Sequence, residues 1–173
     1  MLCWPGLRLK SQVDFDTEAI NHHHAAMNTS AIKLPGQTQS VRAFGDEITF
    51  LLEGKHTGGQ FTMFLVVTQP GDGPPPHYHK SEDEWFYVLE STASFFADGK
   101  WSDVPVGGAV FVPKNCVHRF KNNTDRPLKM LVHTSPSGFE TFFRKAAEEF
   151  AKPGGPDMDR VMQISGEHDI FFV

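Results

Sequence analysis

The sequence predicts an all-β barrel or sandwich followed by a helical C-terminal extension, and three observations carry that prediction. From residue 41 onward, short segments rich in β-branched and aromatic residues alternate with turn residues at close intervals. Between two of these segments stands Asp98-Gly99, a pair that tolerates the positive φ of a tight hairpin turn. After residue 137 the period changes from two to the helical one, with Phe139, Phe142, Phe143, Ala146, Ala147 and Phe150 on one face.

Taken in order, residues 1–40 form a lead-in with no sustained period and with polar clusters such as Asn21-His22-His23-His24. Three adjacent histidine side chains point in different directions, so they read as solvated residues and not as a metal site. Met27 is a second in-frame methionine, and folded-looking sequence starts only after it, which makes it an alternative start. Strands are expected over 41–44, 47–52, 61–69, 85–96, 100–103, 109–112, 117–122 and 128–134. Gly45-Asp46, Gly58-Gly59, Gly107-Gly108 and residues 122–125 supply the turns between them. Ser137 and Glu140 have capping-box spacing at the head of the first helix, whose polar face carries Arg144, Lys145, Glu148 and Glu149. Pro153-Gly154-Gly155-Pro156 ends it, Asp157 caps a second helix reaching Ile164, and residues 169–173 form an edge strand. The expected organisation is therefore a lead-in over 1–40, a barrel over 41–136, and an extension over 137–173 that packs on the barrel.

A chain of 173 residues suffices for one domain with a real core. A net charge of -5 gives no basic field for a phosphate backbone, so nucleic acid is not an expected partner. No apolar run is long enough to cross a bilayer, and membrane is excluded on the same footing. Two cysteines, Cys3 and Cys116, make no disulfide scaffold; a reducing compartment and a cytoplasmic location are expected. The aromatic content is lopsided, with 16 Phe against 3 Trp and 2 Tyr. Phe fills a barrel without bringing a polar group that needs a partner.

The chemistry concentrates in two stretches. In the first, His77 and His79 follow Pro74-Pro75-Pro76. Alternate residues of an extended segment share a face, so the two imidazoles point the same way, about 7 Å apart along the strand. Glu84 follows a short polar bend and can return its carboxylate to the same pocket. In the second stretch His118, Phe120 and Asn122 alternate with Arg119 and Lys121, which sends the charges to solvent and His118 inward. Three imidazoles and one carboxylate suit a divalent first-row metal.

Together these stretches resemble the two motifs of the cupin family. The first reads Gly71, five residues, His77, one, His79, four, Glu84, six, Ser91; the second reads Gly107, five, Pro113, one, Asn115, two, His118, three, Asn122. All four ligand positions of the family are filled, by His77, His79, Glu84 and His118. Ser91 and Asn115 stand where the family pattern has glycine. The resemblance implies a double-stranded β-helix, or jelly-roll barrel, with one or two C-terminal helices and one divalent transition metal in the barrel mouth. Iron, manganese, nickel, cobalt and zinc all accept that ligand set. The proline-rich approach and the step from Ser135 into a helix look most like the quercetin dioxygenase-like proteins.

That likeness implies a metal-dependent dioxygenase acting on a small enolisable or phenolic substrate with O2. Glu84 would serve as ligand and, by dissociating, as base for the substrate. A metal-dependent isomerase, epimerase or decarboxylase, which needs no O2, is the alternative, and a binding module without turnover is a third reading. Phe86, Val88 and Phe120 share faces with the ligands and are candidates for the substrate pocket. The helix phenylalanines are expected to seal the barrel from outside. Cys116 reads as a small packed thiol, Tyr78 as facing away from the ligands, and Glu82-Asp83 as a solvated bend. His56, His133 and His168 lack partners at ligand spacing. Residues 28–44 and 169–173 are candidate edge strands for a homodimer.

Overall fold

Alternating side chains lay the chain out as two antiparallel sheets that share one interior. The computed structural model describes residues 30–173. The expectations for the histidine triplet, for Cys3 and for Met27 as a start lie outside the described residues. The six-stranded sheet runs in the order β1 (Gln39–Ala43), β2 (Asp46–Leu52), β3 (Thr62–Thr68), β10 (Leu128–Ser135), β5 (Asp83–Glu90) and β8 (Ala109–Val112). The five-stranded sheet runs β11 (Ile170–Phe172), β4 (His77–His79), β9 (His118–Lys121), β6 (Thr92–Ala97) and β7 (Lys100–Pro105). This is the all-β jelly roll expected from the sequence. Among the described residues three helices complete it: α1 (Gly54–Thr57), α2 (Phe139–Phe150) and α3 (Met158–Glu167).

Register places the polar residues of the interior. In β3, Thr62, Phe64, Val66 and Thr68 are buried while the residues between them are half-exposed, the period-two signature of a strand with one face on the core. Pairing runs Thr68 to Leu128 at one end and Thr62 to Thr134 to Glu84 at the other. Glu84 therefore sits at the end of the interior where Thr62 and Thr134 lie. The middle rows are apolar, with Phe64, Val66, Phe86, Val88, Met130 and Val132 each at most 4% exposed. Asp98 and Gly99 both adopt positive φ, at 51° and 76°, and close the expected hairpin between β6 and β7.

Several local expectations change. The single strand over 85–96 is two strands in different sheets, β5 and β6, because Ser91 turns the chain with φ of 71°. Serine holds this left-handed position where the family pattern has glycine, and its Oγ lies 2.7 Å from Thr124 Oγ1. Asn115, the other replacement, also has positive φ, at 65°. The capping box at Ser137 and Glu140 does not form; α2 begins after Gly138, at φ of 141°, without a side-chain cap. Glu140 instead accepts from the backbone N–H of Gly54 at 2.9 Å and of Gly138 at 3.1 Å, and from the Thr62 hydroxyl. Its carboxylate thus clamps the helix start to the barrel. Glu149, expected on the solvent face, is buried and pairs with Lys152. Asp157 does cap α3, accepting from the N–H groups of Asp159 and Arg160.

The C-terminal segment also supplies a strand. β11 pairs with β4, setting Phe172 opposite His77 and Ile170 opposite His79. Both β1 and β11 lie at the edges of their sheets. Among the described residues no helix is long and apolar enough to cross a membrane.

Candidate metal centre

His77 and His79 share the buried face of β4, His118 opens β9, and Glu84 is the second residue of β5. His77 and His118 are direct cross-strand partners, and their ring centroids are 4.4 Å apart. Glu84 Oε2 lies 3.2 Å from His118 Nε2 and 3.6 Å from His79 Nε2. One ligand atom from each of the four residues falls within 4.8 Å of all the others. The four residues that the sequence motifs select are thus brought into one cluster.

Hydrogen bonding on the far side of the rings determines which nitrogen faces inward. His77 Nδ1 is 2.9 Å from the Pro75 carbonyl, and His118 Nδ1 is 3.0 Å from the Cys116 carbonyl. A carbonyl can only accept, so each Nδ1 carries the proton; the neutral His77 ring then presents the lone pair of Nε2 to the cluster, while His118 Nε2 faces the Glu84 carboxylate. For His79 the corresponding neighbour is a carboxylate: Glu82 Oε2 lies 3.8 Å from Nδ1. Glu82 is 8% exposed, so the solvated bend expected there is in part a buried wall of the site. Among the described residues neither ring nitrogen of His79 has a hydrogen-bond partner, nor does Glu82 Oε2. Buried polar atoms without partners are costly, and converging lone pairs of this kind suit a cation.

Burial pushes the His77 imidazole down to about 3, with His118 and His79 adding to the effect. Burial also disfavours charge on His118, but the Glu84 hydrogen bond and charge outweigh it and hold that ring above its ordinary value. For Glu84, burial would raise the carboxyl, yet His118 and the other two rings keep it below the ordinary range. The arrangement thus favours an ionised carboxylate beside a neutral His77. That combination of donors fits a divalent ion of the first transition row.

Aromatic rings enclose the cluster. Phe139 stacks on His79 at 5.0 Å, Phe172 lies 5.8 Å from His77, and Phe86 is 6.3 Å from His118. A cavity leads from His77 and Glu84 between Phe86, Phe120, Phe139, Phe142 and Phe143. Phe86 and Phe120 line it as the sequence suggests. Val88 does not; it is fully buried in the core one row further from Glu84, paired with Met130. The helix phenylalanines do more than seal the outside, since α2 turns three of them into the cavity wall.

The remaining candidates lie elsewhere. Tyr78 faces away and stacks on Phe171 at 5.4 Å. The Cys116 thiol is half-buried, 3.7 Å from Asp98 Oδ1, and outside the cluster. His133 stacks on Phe61 at 4.5 Å, and His56 Nδ1 accepts from the Glu53 N–H. Two acidic residues escape sequence reasoning. Glu82 and Asp46 both look like turn residues, and only their burial distinguishes them. Asp46 lines the same cavity as His77 and Glu84, and its Oδ1 has no hydrogen-bond partner among the described residues.

Comparison with known proteins agrees with this geometry. Residues 64–134 match the family model of the cupin domain. Over 126 residues the chain is 29% identical to quercetin 2,3-dioxygenase of Bacillus subtilis (strain 168), covering 69% of this chain and 37% of that protein. Over 111 residues it is 36% identical to the probable oxidoreductase patJ of Aspergillus clavatus, covering 57% of this chain and 34% of that one. The chain thus spans little more than a third of the length of these relatives. In fold it resembles an RmlC-like cupin from Shewanella frigidimarina, with a TM-score of 0.56 at 16% identity over 65% of this chain and 96% of the other.

Proposed function

Residues 64–134 of this chain match the cupin domain, and from that premise we propose that the protein is a metal-dependent dioxygenase acting on a small enolisable or phenolic substrate. His77, His79, Glu84 and His118 would hold one divalent transition metal. The observation that carries the reading is the placement of Glu84: a buried carboxylate among three imidazoles, at the wall of an otherwise apolar cavity. The similarity to a quercetin dioxygenase and to a probable oxidoreductase supports the choice of reaction class.

A bound ion would supply Lewis acidity and a template for substrate and O2. The chain's own residues do the rest. Glu84 takes the proton from the acidic hydroxyl or carbon of the substrate, and the three imidazoles around it would hold the ion. Phe86, Phe120 and Phe139 exclude water and hold the apolar body of the substrate. The Nδ1 hydrogen bonds of His77 and His118 keep their rings oriented as the proton moves.

The test is elemental analysis of the purified protein, followed by a screen of flavonols, β-diketones and catechols with and without O2. Oxygen uptake in step with substrate loss is the expected result. The buried Glu84 carboxylate among imidazoles would equally serve proton transfer alone, so turnover without O2 would replace this reading with an isomerase, epimerase or decarboxylase. Binding without turnover would leave a small-molecule-binding cupin. A homodimer, formed through the edge strand β1 or β11, belongs to the same proposal, and light scattering at working concentration tests it.

A further inference from the structure

Asp46 opens β2 immediately after the turn at Phe44 and Gly45, and it is 8% exposed. It lines the cavity that also meets His77 and Glu84, and apolar side chains form nearly all of the remaining wall. In strand register the two carboxyl groups stand at opposite ends of the interior. Glu84 pairs with Thr134 opposite Thr62, whereas Asp46 lies beside Thr68, six residues further along β3. Among the described residues Asp46 Oδ1 and Thr68 Oγ1, both buried, have no hydrogen-bond partner. The nearest charged influence is Asp72, of like sign.

A residue kept only for the fold would not be expected to have this environment. A buried polar group without a partner is destabilising, and an apolar side chain of the same volume would fill the site at no such cost. Glu84 differs in having three imidazoles beside it. Burial pushes the Asp46 carboxyl up to about 7, the Thr68 hydroxyl opposes that and Asp72 adds to it. Near neutral pH the group can therefore donate to a carbonyl or accept from a hydroxyl. A ligand lying along the cavity would meet a polar group at each end and phenylalanine rings between.

We propose that Asp46 is the second polar anchor of the cavity, hydrogen-bonding an oxygen of the ligand at the end remote from Glu84. The ligand class is accordingly a largely apolar molecule with two oxygen functions: one acidic group for the metal cluster and one hydroxyl or carbonyl at the far end. This inference rests on the reading of the cavity as a substrate site and deepens it. Asp46 acts here in recognition, and the metal cluster does not depend on it.

The probes are 3-hydroxyflavone and its analogue with an added hydroxyl on the remote ring, titrated anaerobically into metal-loaded protein. Wild type should bind the hydroxylated analogue at least about tenfold more tightly, the usual scale for one well-placed buried hydrogen bond. Asp46→Leu should abolish the preference, Asp46→Asn should keep part of it, and both should retain full metal stoichiometry. A merely structural role would not separate the two probes. Equal binding by wild type, binding of neither probe, or a preference that survives in Asp46→Leu would overturn the proposal. Should Asp46→Leu fail to fold, Asp46→Ala and the wild-type comparison decide the matter. Oxygen uptake with 3-hydroxyflavone itself, which lacks the remote hydroxyl, tests the dioxygenase reading independently of Asp46.

Discussion

Glu82 Oε2 lies 3.8 Å from Nδ1 of His79, and both atoms are buried without a hydrogen-bond partner among the described residues. The pair completes a pattern in which each histidine of the cluster has an oxygen behind it: the carbonyls of Pro75 and Cys116 for His77 and His118, and a carboxylate for His79. An outer carboxylate orients a ligating imidazole and raises its basicity. Glu82→Gln should therefore weaken metal binding by about 10- to 100-fold while leaving the fold intact. Chelator competition measures this directly, and an unchanged affinity would remove Glu82 from the site.

Among the described residues neither ring nitrogen of His79 has a hydrogen-bond partner, so its place in the fold depends on packing, on the nearby carboxylates of Glu82 and Glu84 and on what the cluster holds. His79→Ala should abolish stoichiometric metal. His133→Ala should leave the metal content unchanged, because that ring stacks on Phe61, outside the cluster. Elemental analysis of the two variants side by side checks the assignment, and retained metal in His79→Ala would sink it.

The four clustered residues were legible in the sequence because strand alternation is local: His77 and His79 must share a face, and His118 must oppose Arg119. Burial of Glu82 and Asp46 is not local. Each sits in a run of turn-forming residues, and what covers it comes from other parts of the chain, such as Pro74, Ile170 and Phe172 around the cavity of Asp46. The break at Ser91 was hidden for a similar reason. Residues on either side of it have strand character, and only their partners, β10 on one side and β9 on the other, assign them to different sheets. Glu140 has the right spacing for a capping box, but Thr62 and Gly54, 78 and 86 residues away, compete for its oxygens. Phe172 comes to His77 only through the pairing of β11 with β4, which no local pattern announces.

Glu140 should matter to stability well beyond a helix cap. It accepts from the N–H groups of Gly54 and Gly138 and from the Thr62 hydroxyl, and hydrogen bonding from these groups holds its carboxyl below the ordinary range although burial works the other way. Removing the carboxylate leaves partly buried donors unpaired, each a cost of about 1–3 kcal/mol. Glu140→Ala is expected to lose about 3 kcal/mol, or roughly 6–12 °C in Tm for a domain of this size. Glu140→Gln, which keeps one acceptor, should fall between wild type and Ala. Calorimetry on the three proteins checks the order, and a loss below about 1 kcal/mol in the Ala variant would show that the clamp contributes little.

Asp46 gives stability a pH dependence whose sign can be worked out. Its carboxyl rises from 3.8 to about 7 on folding, chiefly through burial. Between those values the folded protein holds a proton that the unfolded chain has released, so stability falls as pH rises through this window. The contribution is fully present below about pH 4 and lost above about 7, and its slope approaches 1.4 kcal/mol per pH unit in between. Integrated over the window, the loss is about 4 kcal/mol at most. Asp46→Asn cannot ionise and removes this component while every other titrating group remains. In urea unfolding from pH 4.5 to 8, with both proteins in the same metal state, wild-type stability relative to Asp46→Asn should therefore decline with rising pH and level off above 7. A difference independent of pH would mean that the Asp46 carboxyl is solvated in the folded protein, and would count against its role as an anchor in a dry cavity.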